Sequence, residues 1–171
     1  MTTILTTPRL RLRRFEQTDV DADHLVALND NPAVTKYVGE GSIDRAAALD
    51  VLRDRIIKQH DAYGVGRWAV ERLDDGAFIG WCGFKYEVEH DRYDVGYRFF
   101  EACWGKGYGR EAAAACMDWA TTHLAGKVIV GRAHVDNAAS LKILASLGGR
   151  FSHTEVDDTD VVNVFAIRGP M

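Results

Sequence analysis

Trp104-Gly105-Lys106-Gly107-Tyr108-Gly109-Arg110-Glu111-Ala112 sets three alternating glycines between a strand-like segment and an alanine-rich one. Glycine has no Cβ, so the backbone there can adopt positive φ, turn its amide hydrogens toward one point and let a ligand come close. A helix beginning at Tyr108 adds its own unpaired N–H groups and the positive end of its dipole. Lys106 and Arg110 put full charges beside that concavity. A phosphate or diphosphate is the guest such a turn suits.

Spacing separates three kinds of site that use a turn of this sort. A nucleotide P-loop needs G-x-x-x-x-G-K-[ST], and here Gly107 follows Lys106 where the hydroxyl should stand. Gly107-Tyr108-Gly109-Arg110-Glu111-Ala112 does spell the dinucleotide pattern G-x-G-x-x-A. That fingerprint should follow a buried parallel strand directly and be followed about twenty residues later by an acid for the ribose. Asp94-Val95-Gly96-Tyr97-Arg98-Phe99-Phe100 mixes polar with apolar residues, and the next apolar run, Val128-Ile129-Val130, ends at Gly131-Arg132.

In the third reading, Trp104 to Gly109 resembles motif A of the GNAT acyltransferases, Q/R-x-x-G-x-G/A, with Trp in the first position. A strand ending in Gly96-Tyr97 followed by the W-G-K-G-Y turn is similar to the RimJ/RimL branch of that family. Asn137-Ala138-Ala139-Ser140, leading through Leu141-Lys142-Ile143-Leu144 to Leu147-Gly148, resembles motif B, N-x-x-S and a helix ending in L-G-F; Gly149 stands where the family usually has Phe. The resemblance runs over nearly the whole chain. It implies acetyl-CoA as co-substrate, with the diphosphate on the amides of Trp104, Gly105, Lys106, Gly107, Tyr108, Gly109 and Arg110. It further implies a pantetheine arm along Tyr97, Arg98, Phe99 and Phe100, with Asn137 and Ser140 beside the thiol.

At 171 residues the chain is expected to be one domain, residues 1–171, with enough core to fold alone. Its formal charge of −4 gives no reason to expect nucleic acid as a ligand. No early apolar stretch approaches a membrane span or a signal peptide, so a cytoplasmic protein without a membrane partner is expected. Cys82, Cys103 and Cys116 are widely spaced, which suggests neither a disulfide framework nor a metal site. Cys103, beside the glycine turn, is considered as an acyl-accepting nucleophile, but no histidine has a spacing that marks it as its partner. A monomer or a homodimer is equally compatible with the sequence.

Along the chain, Thr7 to Arg13 alternates like a first strand, with arginines on a solvated face. Thr18 caps a helix carrying Val20, Leu25 and Leu28 inward and stopping at Asn29-Asp30-Asn31-Pro32. Ser42 or Asp44 opens a second helix, with Leu49, Leu52 and Ile56 on one face, that ends near the glycines at 64 and 66. Asp74-Asp75-Gly76 joins strands at 67–72 and 77–87, and a third strand follows at 91–99. The helix from Tyr108 to Leu124 presents Ala112, Cys116, Trp119, Ala120 and His123 on one side. A strand at 128–133, parallel to the third, then a helix from Asn137 to Leu147 and a hairpin of 151–156 with 161–167 around Asp157-Asp158-Thr159-Asp160 complete the order. The fold class is therefore α/β (α+β). The resemblance implies a GNAT-like mixed, mostly antiparallel central sheet with a splayed parallel strand pair, flanked by about four helices.

Moving an acyl group from a thioester to an amine requires a neutral amine, a polarised carbonyl, a proton for the leaving thiolate and alignment. An α-amine with pKa about 7.7 to 8.0 is roughly ten per cent neutral at pH 7, whereas a lysine near 10.4 is neutral in fewer than about one molecule in a thousand. A protein N-terminus or a small-molecule amine is thus served by a weak proton acceptor, and no strong base stands out in the sequence. The acid that relatives place five residues before the motif B asparagine is Arg132 here. Asp94, His134, Glu87 and Glu89 are the candidate proton acceptors. Asp94 and His134 are also readable as a solvated strand residue and a structural histidine. Ser140, in the first turn of its helix, is the candidate proton donor to the thiolate, a role the resemblance implies; simple N-capping by Asn137 and Ser140 is the alternative. Trp68, Trp81, Trp104 and Tyr37 either wall an acceptor pocket or pack in the core. The sequence leaves open an acyl-CoA-binding module without catalysis and an NAD(P)-dependent oxidoreductase beside the N-acetyltransferase.

Overall fold

Alternating apolar residues build eight strands into one twisted sheet. The structure is a computed structural model that describes residues 1–39, 41–157 and 160–168. In chain order, β1 (Thr3–Thr6) and β2 (Leu10–Arg13) precede α1 (Asp19–Asn29), the one-turn α2 (Pro32–Thr35) and α3 (Arg45–Val51). The last continues through a wider π turn at Leu52–Ile57 into α4 (Lys58–Tyr63). Then come β3 (Arg67–Arg72), β4 (Phe78–Glu87), β5 (Arg92–Phe99), α5 (Tyr108–His123), β6 (Ile129–His134), α6 (Ala138–Ser146), β7 (Arg150–Asp157) and β8 (Asp160–Arg168). The sheet order is β1-β2-β3-β4-β5-β6-β8-β7, antiparallel throughout except for β5 beside β6. This is the mixed, mostly antiparallel sheet expected, with four longer helical segments and α2 around it.

Helix boundaries follow capping chemistry. The Thr18 side chain accepts from the Asp21 amide, that of Asp44 from Ala47, and that of Asn137 from Ser140, each opening its helix. Gly64, in the left-handed region at φ 71°, ends α4. β1 was not anticipated; three residues of polar Thr at 2, 3 and 6 hide its alternation, and it forms by pairing with β2. Of the last hairpin's turn, Asp158 and Thr159 lie outside the described residues.

The main core lies between the sheet and α5, where Trp68, Cys82, Phe84, Val95, Ala112, Cys116 and Ala120 are fully or almost fully buried. On α5 the buried stripe is Ala112, Ala113, Cys116, Met117 and Ala120; the expected His123 is exposed and stacks on Trp119 instead. A smaller cluster of Phe15, Ala22, Leu25, Ala48, Leu52 and Ala69 seats α1 and α3 on the opposite face. Val20 was expected inward, but it is 63% exposed.

Of the β2 arginines expected on a solvated face, Arg11 keeps its side chain 42% exposed, whereas Arg13 is buried. Arg13 is 3% exposed, and its guanidinium spans Asp21 (Nη2–Oδ1, 2.6 Å) and Glu71 (Nε–Oε1, 2.6 Å). Arg11 donates to the other Glu71 oxygen at 2.6 Å. The two buried carboxylates of Asp21 and Glu71 draw Arg13 inward, a tertiary pairing that local alternation does not encode.

What positions the site is the partial pairing of β5 with β6. Only Tyr93–Ile129, Asp94–Val130 and Val95–Gly131 are in register; beyond Val95 the two strands part. Leu144 of α6 packs directly on Gly131, where a Cβ would stand 2.3 Å from its Cδ2, so only glycine lets the helix this close. The first turns of α6 thereby lie over the opening.

Candidate active site

β5 has one edge closed and one open along the gap. The Tyr93 amide donates to Val128 O at 2.9 Å, toward β6, while the Phe100 amide donates to Ile79 O at 3.0 Å, toward β4. Successive residues of a strand direct their main-chain groups to alternate sides. The N–H and C=O of Tyr97 and the N–H of Phe99 therefore face the gap, whereas Arg98 and Phe100 turn theirs to β4. Of the predicted edge from Tyr97 to Phe100, the main chain that an extended ligand can pair with narrows to Tyr97 and Phe99. The Phe99 carbonyl, on the same side, accepts from the Trp104 indole Nε1 at 2.9 Å. Trp104 thus ties the start of the glycine turn to the end of β5.

The turn has the geometry its glycines predicted. Gly105 and Gly107 sit at φ 72° and 82°, and a Cβ on Gly105 would meet nothing within 4 Å. The Trp104 amide bonds Glu101 O, and the next amide with an acceptor is that of Glu111, on Gly107 O at 3.0 Å. From Gly105 to Arg110 six amides have no acceptor among the described residues. Unpaired donors grouped at the N-terminus of a 16-residue helix fit a diphosphate in number, charge and access. Lys106 and Arg110 are exposed beside them.

Three elements meet at this point. A Cβ on Gly109, in the first turn of α5, would lie 3.2 Å from Ile143 Cδ1 of α6 and 3.6 Å from the Phe99 ring of β5. On α6, the Ser140 amide is taken by Asn137 Oδ1 at 3.1 Å, while its carbonyl accepts from the Tyr97 hydroxyl at 3.0 Å. The Ser140 hydroxyl, on a half-buried residue, has no partner among the described residues. Burial pushes the Tyr97 phenol up, so it stays a neutral donor.

The candidate proton acceptors are placed unequally. Asp94 is not a solvated strand residue: it is 5% exposed, and its Oδ2 accepts from Arg67 Nη2 at 2.8 Å. Its Oδ1 is buried without a hydrogen-bond donor among the described residues, with Arg132 Nε 4.0 Å away. A buried carboxylate oxygen without a donor is an acceptor ready for one. His134 stacks on Tyr37 with ring centroids 5.2 Å apart, and its Nδ1 accepts from the Asp136 amide at 3.1 Å. That bond occupies the lone pair of the neutral ring and assigns its proton to Nε2, which makes His134 a donor. Glu87 is buried in ion pairs with Arg92 (2.6 Å) and Arg132 (3.0 Å), and Glu89 is exposed on a separate turn. Neither reaches the gap as a free base.

Among the aromatic candidates, Trp68 is core. Trp81 lies half-buried between the guanidiniums of Arg67 and Arg98, at 5.0 and 5.4 Å from its ring centroid. Arg98 also donates to Asn29 Oδ1 at 2.6 Å, which brings the end of α1 to the same face as Asp94. Arg67 and Arg9 are the site-forming residues that sequence reasoning missed; Arg67 reaches Asp94, 27 positions away, and Arg9 reaches Lys106 and Glu111, 97 and 102 positions away. Cys103 packs half-buried against the main core, away from any histidine partner that an interaction would mark.

The dinucleotide reading of Gly107 to Ala112 fails on this geometry. A 3₁₀ turn at Glu101–Cys103 separates the glycines from β5, and β5 is antiparallel to β4 over its whole length. A dinucleotide fold needs a parallel strand running straight into the turn.

Comparison with known proteins agrees with the geometry. The family model of the GNAT acetyltransferase domain matches residues 9–150. The chain is 33% identical over 147 residues to the uncharacterized N-acetyltransferase p20 of Bacillus licheniformis, covering 84% of this chain and 80% of that one. It is 26% identical over 165 residues to the FsC-acetyl coenzyme A-N(2)-transacetylase of Aspergillus fumigatus, covering 90% and 68%. In structure it is similar to an acetyltransferase from Agrobacterium tumefaciens, with a TM-score of 0.77, 25% identity and coverage of 96% and 94%. It shares its fold with RimL, a ribosomal L7/L12 α-N-protein acetyltransferase solved with coenzyme A, at a TM-score of 0.81, 17% identity and 96% coverage of both chains. With its sheet parted beside a turn of free amides and that family match over most of its length, the chain belongs to the GNAT acetyltransferases, enzymes that depend on acetyl-CoA.

Proposed function

We propose that residues 1–171 form one catalytic domain, an N-acetyltransferase of RimJ/RimL type in which a bound primary amine attacks the acetyl thioester directly. Acetyl-CoA supplies the activated acyl carbon. The six free amides of Gly105 to Arg110, with Lys106 and Arg110, receive its diphosphate; the Tyr97 and Phe99 main chain receives its pantetheine arm. The Ser140 hydroxyl, at the positive end of α6, gives its proton to the departing sulfur. Asn137 orders that first turn by capping it.

The Asp94 Oδ1 atom receives a hydrogen bond from the acceptor nitrogen or from a water that carries its proton away. The observation that carries the proposal is the coincidence of the open Tyr97 edge, the free-amide turn and the Ser140 hydroxyl around one gap. Asp94 is ion-paired and the His134 Nδ1 already accepts from the Asp136 amide, so the site orients an amine without offering a strong free base. That supports an α-amine, of a protein N-terminus or a small molecule, over a lysine side chain.

Thiol release measured with acetyl-CoA and a panel of N-terminal peptides, amino acids, polyamines and lysine peptides tests this. Turnover concentrated on α-amines supports the proposal. Tight coenzyme A binding without release above background on any amine would make the chain a binding module instead.

A further inference from the structure

Arg9 lies outside both glycine turn and helix, yet its side chain is built into the turn from behind. Its Nε donates to Glu111 Oε2 at 2.6 Å and its Nη1 to the Lys106 carbonyl at 3.0 Å. Its own amide donates to Glu111 Oε1 at 3.1 Å, and the Thr7 hydroxyl reaches the same oxygen at 2.5 Å. The guanidinium carbon stands 4.5 Å over the Tyr108 ring. Burial alone would raise the Glu111 carboxyl, but the hydrogen bonds from Thr7 and Arg9 hold it below the usual range, so the pair is ionised.

The contact with the Lys106 carbonyl has a geometric consequence. In a trans peptide the C=O of one residue and the N–H of the next point in opposite directions. Nη1 holds the Lys106 oxygen on the β2 side, so the Gly107 N–H is aimed away from Arg9, toward the outer face of the turn. A φ of 82° at Gly107 is reachable by several peptide orientations, and glycine alone selects none of them. Each nitrogen of the Arg9 fork touches Glu111 or Lys106, which makes the side chain a brace for the turn.

We propose that Arg9, anchored by Glu111, is a positioning residue for the acyl donor: it fixes the Lys106–Gly107 peptide so that the turn meets the donor's diphosphate already oriented. This rests on the reading of that turn as the diphosphate site. Its effect is therefore specific to donors that carry a diphosphate, which a merely structural arginine would not show.

The test compares coenzyme A with pantetheine, and acetyl-CoA with S-acetylpantetheine, which lacks the diphosphate, in the full-length protein. Arg9→Met is expected to weaken coenzyme A binding about tenfold to a hundredfold, the factor that losing one charge-assisted hydrogen bond carries. KM for acetyl-CoA rises by the same factor, kcat at saturation changes by less than about threefold, and the preference for acetyl-CoA over S-acetylpantetheine falls in parallel. Glu111→Gln shifts the same preference in the same direction, and Arg9→Lys restores part of it. These two variants decide the matter if Arg9→Met does not fold. Equal losses with both donors, or an unchanged preference in all three variants, would overturn the role of Arg9. If the unaltered protein binds coenzyme A no tighter than pantetheine, it is the diphosphate reading of the turn that fails.

Discussion

The Tyr97 hydroxyl donates to the Ser140 carbonyl at 3.0 Å, so a strand that has left its neighbour is tied to the helix lying over the gap. No sequence-local rule links these two residues. Tyr97→Phe removes the donor and leaves that carbonyl short of one partner, at about 1 kcal/mol. The expected result is a melting temperature lower by about 2–4 °C, with kcat reduced more than coenzyme A binding. Unchanged melting and unchanged kcat would show the bond to be incidental.

Ser140→Ala separates catalysis from capping. The Ser140 amide keeps its bond to Asn137 Oδ1 in the variant, so the helix start is preserved. Turnover is expected to fall about tenfold to a thousandfold, with coenzyme A affinity nearly unaltered by calorimetry. Full turnover would return Ser140 to a simple position in the first turn.

Gly107→Val places a β-branched residue at φ 82°, with its Cβ 3.4 Å from Arg9 Nη2. Strain and the displaced brace both distort the turn, and coenzyme A binding should be lost while circular dichroism remains that of the parent. Retained binding would mean that the diphosphate sits elsewhere.

The Asp21–Arg13–Glu71 cluster predicts an acid limb of stability. Burial alone would raise the Asp21 carboxyl, but the Arg13 fork and the Glu16 amide hold it below its ordinary value; Arg13 and Arg11 do the same for Glu71. Groups with lowered folded-state values stabilise fully above their unfolded values, about 4, and that stabilisation is lost as pH falls through the folded values. Thermal melts should therefore be flat from about pH 8 to 5 and fall below about pH 4. Arg13→Met leaves the buried Asp21 carboxylate without its arginine and Glu71 with Arg11 alone, an expected loss of about 3–5 kcal/mol at neutral pH. Part of that loss should be recovered on acidification, reversing the parent's trend. A variant whose stability followed the parent's pH curve would contradict the pairing.

Much of the fold was legible because its signals are local. Asp74-Asp75-Gly76 marked the β3–β4 hairpin, Thr18 and Asn137 marked helix starts, and the glycines at 105 and 107 marked a turn with positive φ. Where the reading failed, distant residues decided. Arg13 was assigned to solvent because alternation alone cannot show Asp21 and Glu71 converging on it. Asp94 is readable from sequence as a proton acceptor or as a solvated strand residue, because Arg67, 27 positions away, gives no local sign of covering it. His134 was offered as a base, and only its bond from the Asp136 amide shows which nitrogen keeps the proton.

Sequence by itself determined the order of elements and the glycine turn, since caps, hairpin turns and glycine's missing Cβ act over a few residues. Tertiary structure alone decided that β5 and β6 part after Val95, that Tyr97 and Ser140 face one another, and that Arg9 stands behind the turn. Those relations arise when sheet and helices pack together and buried charges find partners, interactions whose range is set by distance in space and not along the chain.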